Sequence, residues 1–144
     1  MTGDAFLIVR STFYADIAGM LTEGATSALA ASGRAWDTVE VPGAFEIPGA
    51  IAQAARGAGF AGYIALGCVI RGETTHYDYI CSESARGLMS LATRDRLAIG
   101  YGILTCETRA QAVERADPEQ GNKGADAASA ALALAALGDR FAAS

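Results

Sequence analysis

The sequence has 144 residues, of which 51% are hydrophobic, and a formal net charge of −5. That length suits one domain over 1–144 with a sizeable core that needs no disulfides. No apolar run reaches the roughly 20 residues of a membrane-spanning helix, and no Lys/Arg cluster offers the attraction that draws proteins to nucleic acid or anionic lipid, so neither is expected as a partner.

The chain enters a short apolar run at Ala5 to Val9, as suits a strand covered on both faces. A helix-like stretch follows from about Asp16 to Ser32, and Gly33 is placed to end it. Thr38 to Val41 alternates and is β-branched, so it reads as a second strand, stopped by Pro42-Gly43. Pro48 suits the first turn of a helix running to about Arg56. Gly62 to Ile70 reads as a third buried strand, and the polar turn Arg71 to Thr75 leads into a helix from about His76 to Thr93. Leu97 to Thr105 supplies a fourth strand, Gln111 to Ala116 a short helix, 117–122 a loop, and Lys123 to Phe141 a long helix.

Strand and helix therefore alternate four times. Parallel strands need crossovers, and helices of this length supply them on both faces of a sheet. The expected fold is α/β, a three-layer α/β/α sandwich with a flavodoxin-like parallel sheet of four to five strands. The last helix is apolar around most of its circumference, which calls for subunit contacts.

Cys68, Cys81 and Cys106 are odd in number and widely spaced, unlike a disulfide framework or the paired ligands of a zinc site. They read as reduced and mostly buried. With one histidine in the chain, a transition-metal site would have to be built almost wholly from carboxylates, so metal catalysis is not expected. Met1-Thr2-Gly3-Asp4 has no basic region or cleavage pattern of a signal peptide, so a cytoplasmic protein is expected.

Ligands of open α/β sheets bind beyond the carboxyl ends of the strands, which directs attention to residues 11–14, 42–46, 68–76 and 105–107. Gly72-Glu73-Thr74-Thr75 places a turn and two hydroxyls at a helix N-terminus, where free N–H groups favour an anion such as phosphate; Thr74 or Thr75 acting as an ordinary cap is the alternative. His76 follows directly, and a histidine there either passes protons or merely caps and packs. Glu73 and Asp78 are near it in sequence. Phe13, Phe45 and Tyr101 fall near strand ends, where an aromatic ring either stacks on a flat heterocycle or belongs to the core. Glu46, if buried, needs a partner that a ligand's N–H groups could provide. Arg115 and Lys123 either bind phosphate or form surface pairs with Glu114, Asp117 or Glu119.

Taken in order and at their spacings, VPGAFEIP at 41–48, LGCVIRGETTHYD at 66–78, GILT at 102–105 and GNKG at 121–124 resemble the lumazine synthase family over nearly the whole chain. The resemblance implies condensation of 5-amino-6-(D-ribitylamino)uracil with 3,4-dihydroxy-2-butanone 4-phosphate to 6,7-dimethyl-8-ribityllumazine, phosphate and water, without cofactor or metal. It also implies that Phe13 stacks on the pyrimidine, and that Ala44, Phe45, Glu46, Cys68, Val69 and Ile70 line the pocket for that ring and its ribityl chain. Glu46 would accept a hydroxyl. Glu73 and Thr74 would hold the phosphate with Arg115 as matching cation, Tyr101 would come from a neighbouring subunit, Lys123 would lie near the same site, and His76 would be the general acid/base.

The family recurs as a homo-oligomer, a pentamer or a shell of pentamers, and the apolar last helix suits such contacts. Thr12-Phe13-Tyr14 departs from a common Arg-Phe-Asn, and Tyr101 from a common Phe. Two rivals share the scaffold: a flavin or lumazine carrier, which would not need His76, and a shell subunit free to vary its pocket.

Overall fold

A computed structural model of the chain describes residues 4–57 and 59–143. The Met1 to Gly3 start, read above for a leader pattern, lies outside them. Strands β1 (Phe6–Ser11), β2 (Trp36–Val41), β3 (Gly62–Ile70) and β4 (Ile99–Cys106) form one sheet in the order β2-β1-β3-β4. Every pairing is parallel. The connections carry helices α1 (Ala15–Ala31), α2 (Ile47–Ala55) and α3 (His76–Arg94), with α4 (Arg109–Ala116) and α5 (Lys123–Ala142) after β4. This is the expected α/β/α sandwich in flavodoxin-like order, with four strands.

Alternation along the strands decides which layer each side chain joins. Phe6, Ile8, Ile64, Leu66, Cys68, Leu104 and Cys106 pack with α1, α4 and α5 through Ile17, Leu21, Ala112, Ala128 and Ala131. The opposite parity, Leu7, Val9, Tyr63, Ala65, Ile99 and Ile103, packs with α2 and α3 through Ile47, Ile51 and Leu88. Both faces of β1 and β3 are thereby covered, which explains their continuous apolar runs. β2 differs: it begins two residues before the expected Thr38, and only Val41 in it is even partly buried. Its alternation does not mark a buried face. β2 is an edge strand that packs mainly against β1, whereas the other edge, β4, is covered by helices; Arg10 holds β2 to β1 through Glu40 at 2.7 Å.

Helix ends follow local chemistry. Gly33 has φ +71°, a left-handed conformation that stops α1 as expected. Thr108 caps α4 by accepting from the Gln111 N–H at 3.2 Å, which starts that helix two residues before Gln111. α5 buries Gly124, Ala127, Ala128, Ala131 and Ala135 but leaves Leu134, Leu137 and Phe141 exposed. Among the described residues, no helix is long and apolar enough to cross a membrane.

Small residues let α5 approach its neighbours closely. A Cβ at Gly124 would lie 2.0 Å from the Leu21 carbonyl oxygen, and one at Gly100 only 1.9 Å from that of Ala127. Backbone on both sides cannot yield without moving a helix. Gly124→Ala should therefore destabilise by about 1–3 kcal/mol. Gly19, exposed in α1 with nothing near its Cβ direction, serves as the contrast, and Gly19→Ala should stabilise by up to about 1 kcal/mol. Urea unfolding midpoints moving in opposite directions would bear this out; equal shifts would contradict the packing account.

Candidate active site

At the carboxyl ends of β1 and β3 a cleft of about 510 Å³ is lined by Phe13, Tyr14, Ala44, Phe45, Glu46, Cys68, Val69, Ile70, His76, Tyr79 and Ile80. Most of its walls are apolar, as suits a flat organic ring with a few polar anchors. Three segments build it.

The first is the chain between β1 and α1. The Thr12 N–H donates to the Val41 carbonyl at 3.1 Å, and Asp16 in the first turn of α1 pairs with Arg109 of α4. Phe13 projects from this held segment with 73% of its surface exposed. Tyr14 meets it edge to face, with ring centroids 4.9 Å apart.

The second segment is the 3₁₀ turn Ala44–Glu46 leading into α2. Ala44 and Ile47 are buried and anchor it, while Phe45 stays half exposed over the cleft. Glu46 is exposed rather than buried, and its Oε1 accepts from the Gly43 N–H at 3.0 Å. The partner that a buried carboxylate would have needed is thus a backbone amide of the same turn.

The third segment runs from the end of β3 into α3. Thr75 occupies the N-cap position without making a side-chain cap, whereas Thr74 Oγ1 accepts weakly from the His76 N–H at 3.3 Å. Residues 72 to 75 are solvent-exposed, and Asp78 lies in the first turn of the helix. His76 reaches the cleft from this turn. Tyr79 and Ile80 follow it at the i+3 and i+4 positions and join the same wall. That helical spacing is the signal by which the sequence could have named them.

Arg71, which the sequence reading did not single out, ties these pieces together. Its Nε donates to both carboxylate oxygens of Glu107, at 2.9 and 3.1 Å. Its Nη1 lies 3.6 Å from Asp78, and its guanidinium carbon sits 4.4 Å from the centre of the Tyr77 ring. Its backbone N–H donates to the Cys106 carbonyl at 2.9 Å. Asp78, one of the two carboxylates beside His76 in sequence, is therefore engaged by Arg71.

The remaining predicted residues lie elsewhere on the chain. Tyr101, Arg115 and Lys123 line a second cleft of about 480 Å³ along β4, the free edge of the sheet, with Thr105 and Asp126. Arg115 Nη1 donates to Cys106 Sγ at 3.2 Å, and Lys123 lies 3.4 Å from Asp126. Neither uses the surface partners anticipated from sequence. Asp117 instead accepts from the Glu119 N–H and the Gln120 side chain, which hold its carboxyl below the ordinary value. Phe13, Ala44, Phe45, Glu46, Cys68, Val69, Ile70 and His76 are thus gathered in one cleft, with Glu73 and Thr74 on the adjoining turn.

The sequence profile described as 6,7-dimethyl-8-ribityllumazine synthase matches residues 3–139. The chain belongs to this family. It is 53% identical over 136 residues to the 6,7-dimethyl-8-ribityllumazine synthase of Erythrobacter litoralis, covering 94% of this chain and 96% of that one. It is 54% identical over 136 residues to the synthase of Novosphingobium aromaticivorans, covering 94% and 97% of the two chains. The synthase of Methylocella silvestris is 54% identical over 143 residues, covering 96% of this chain and 87% of its own. The resemblance read from the motifs is confirmed.

The three cysteines are free thiols, with Cys68 and Cys106 buried and Cys81 partly so. Burial pushes the Cys68 thiol up to about 12, and the neighbouring Cys106 adds to the effect. Since only the thiolate is strongly nucleophilic, iodoacetamide at pH 8 should leave Cys68 unmodified while a free cysteine control reacts fully. Mass spectrometry of the digested protein reads this; stoichiometric labelling of Cys68 would contradict it.

Proposed function

We propose that the catalytic centre is assembled from the aromatic cleft of one subunit and the β4-edge cleft of a neighbouring copy. The reaction follows from the family. The enzyme, a transferase of riboflavin biosynthesis, condenses 5-amino-6-(D-ribitylamino)uracil with 3,4-dihydroxy-2-butanone 4-phosphate to give 6,7-dimethyl-8-ribityllumazine, phosphate and water.

The observation that carries the composite reading is the separation of the two halves. One chain carries an apolar, aromatic cleft holding its only imidazole, and it displays the cations Arg115 and Lys123 with Tyr101 around a different cleft at an unpaired sheet edge. Phe13, Phe45 and Tyr79 are each more than half exposed at the mouth of the first cleft. An apolar surface of that kind is commonly covered by a partner. Leu134, Leu137 and Phe141 on α5 add to the surface available for subunit contacts. A homo-oligomer, with the pentamer as its unit, fits both. The three free thiols support a reducing, cytoplasmic setting.

In this reading Phe13 stacks on the pyrimidine, while Ala44, Phe45, Glu46, Cys68, Val69 and Ile70 surround the ring and ribityl chain. The neighbour's Tyr101 closes the ring site. The phosphate lies at the N-terminus of α3, where free backbone N–H groups and the Thr74 hydroxyl offer donors. Glu73 contributes through its backbone, and the neighbour's Arg115 neutralises the charge, with Lys123 close by. His76 then moves protons through a sequence of four steps. The amine of the pyrimidine adds to the ketone carbonyl and water leaves as the imine forms. Phosphate is eliminated to leave an enol, which tautomerises to a second carbonyl; the ribityl-bearing amine closes the ring on it, and a final dehydration gives the lumazine. Two reactants that condense readily gain most from being held in reacting geometry, so orientation supplies a large share of the acceleration.

Mixing the purified protein with both substrates and following lumazine absorbance above the spontaneous background tests the activity. No acceleration would refute it. His76→Ala should lower kcat on the order of a hundredfold with little change in pyrimidine binding. Arg115→Ala should raise KM for the phosphate substrate roughly tenfold to a hundredfold. Equal KM changes for both substrates in both variants would contradict these roles.

A further inference from the structure

The Arg71 cluster has no part in holding substrate as described above, yet it fixes the base of the helix that carries His76. Resting on the proton-transfer reading of His76, we propose that Arg71 and Glu107 are a positioning pair that sets the His76 imidazole against the cleft.

The geometry has three parts. Glu107 stands at the first position after β4, and its N–H donates to Gln111 Oε1 at 2.8 Å, which ties it to α4. Its carboxylate grips Arg71 Nε with both oxygens, across 36 residues of sequence. Arg71 then reaches the residues that follow His76 in the helix, with its guanidinium carbon over the Tyr77 ring and Nη1 facing Asp78. The first turn of α3 is therefore pinned to the ends of both β3 and β4, while residues 72 to 75 ahead of it are exposed. Without the pin, His76 would sit at the frayed start of a helix.

The charge balance argues against the simpler alternative that Arg71 binds the phosphate itself. Two carboxylates face one guanidinium, leaving the cluster net negative, and one face of the guanidinium is covered by the Tyr77 ring. A planar, forked cation meeting one carboxylate with Nε and another with Nη1 is suited to setting an angle between two elements, a task that lysine, a single rotating ammonium, performs poorly.

The test combines kinetics with a readout that needs no turnover. Glu107→Gln leaves the Arg71 backbone bond and the Tyr77 contact in place, so the helix should remain folded. It should lower kcat about tenfold and leave KM for both substrates within about twofold. In a His76→Ala background it should have no further effect on kcat, because its action runs through the imidazole. Arg71→Lys should resemble Glu107→Gln and not the wild type. His76 is the only histidine, so protein isotopically labelled at histidine gives a single ring environment by NMR. That signal should move in both variants in the absence of substrate.

Losses that multiply with His76→Ala, a rise confined to KM for the phosphate substrate, or an unmoved His76 signal would each overturn the proposal. If the wild-type protein failed to condense the substrates, the functional reading would fall, while the histidine signal would still decide whether Arg71 and Glu107 position the ring.

Discussion

Parallel pairing of β3 with β1 on one side and β4 on the other is the constraint on which the rest of the structure depends. Because all strands run the same way, their carboxyl ends converge, and the segments after β1, β2 and β3 meet around one cleft. The register continues to the strand ends, where Ile70 pairs with Cys106. One residue beyond each lie Arg71 and Glu107, and their side chains meet because their backbones are already in step. A slip of one residue in β4 would turn Cys106 away from the core and carry Glu107 off Arg71.

The same sheet gives a physical basis for the proposed division of the site between two copies. β1 and β3 are central and covered on both faces, so they support a rigid, apolar wall. β4 is an edge, and its exposed residues Tyr101 and Thr105 face outward beside Arg115 and Lys123. An edge that displays ring, hydroxyl and cations is chemically the complement of a cleft that displays rings, an imidazole and the N-terminus of a helix. Family membership gives the reaction, and this division of the residues is what supports the proposed assembly. Catalysis by orientation suits such a design, because two reactants can be held from two sides.

Much of this was legible in the sequence. Apolar runs at Ala5 to Val9 and Gly62 to Ile70 located the central strands, since burial on both faces removes the polar alternation. Pro48 and Gly33 located a helix start and a helix end through their backbone preferences. β2 was found, but its exposure was not, because alternation in Thr38 to Val41 says nothing about whether a layer covers it. Long-range pairs were invisible: Arg71 with Glu107, Arg115 with Cys106 and Arg109 with Asp16 depend on which strand ends become neighbours. Local pairing was missed as well, as with Glu46, whose carboxylate turns back to its own turn at Gly43. Among the site residues, periodicity pointed only to strand ends, and the expected roles of Phe13, Glu46, His76 and Arg115 came from the family resemblance.

The composite centre is tested most directly by mixing two crippled chains. His76→Ala and Arg115→Ala proteins, each unfolded and refolded alone, should remain poorly active at low phosphate-substrate concentration. Unfolded and refolded together, they should recover about one quarter of wild-type activity, the fraction of interfaces in a random ring that pair an intact His76 with an intact Arg115 from the adjacent subunit. A co-refolded mixture no more active than the average of its two parents would contradict the account.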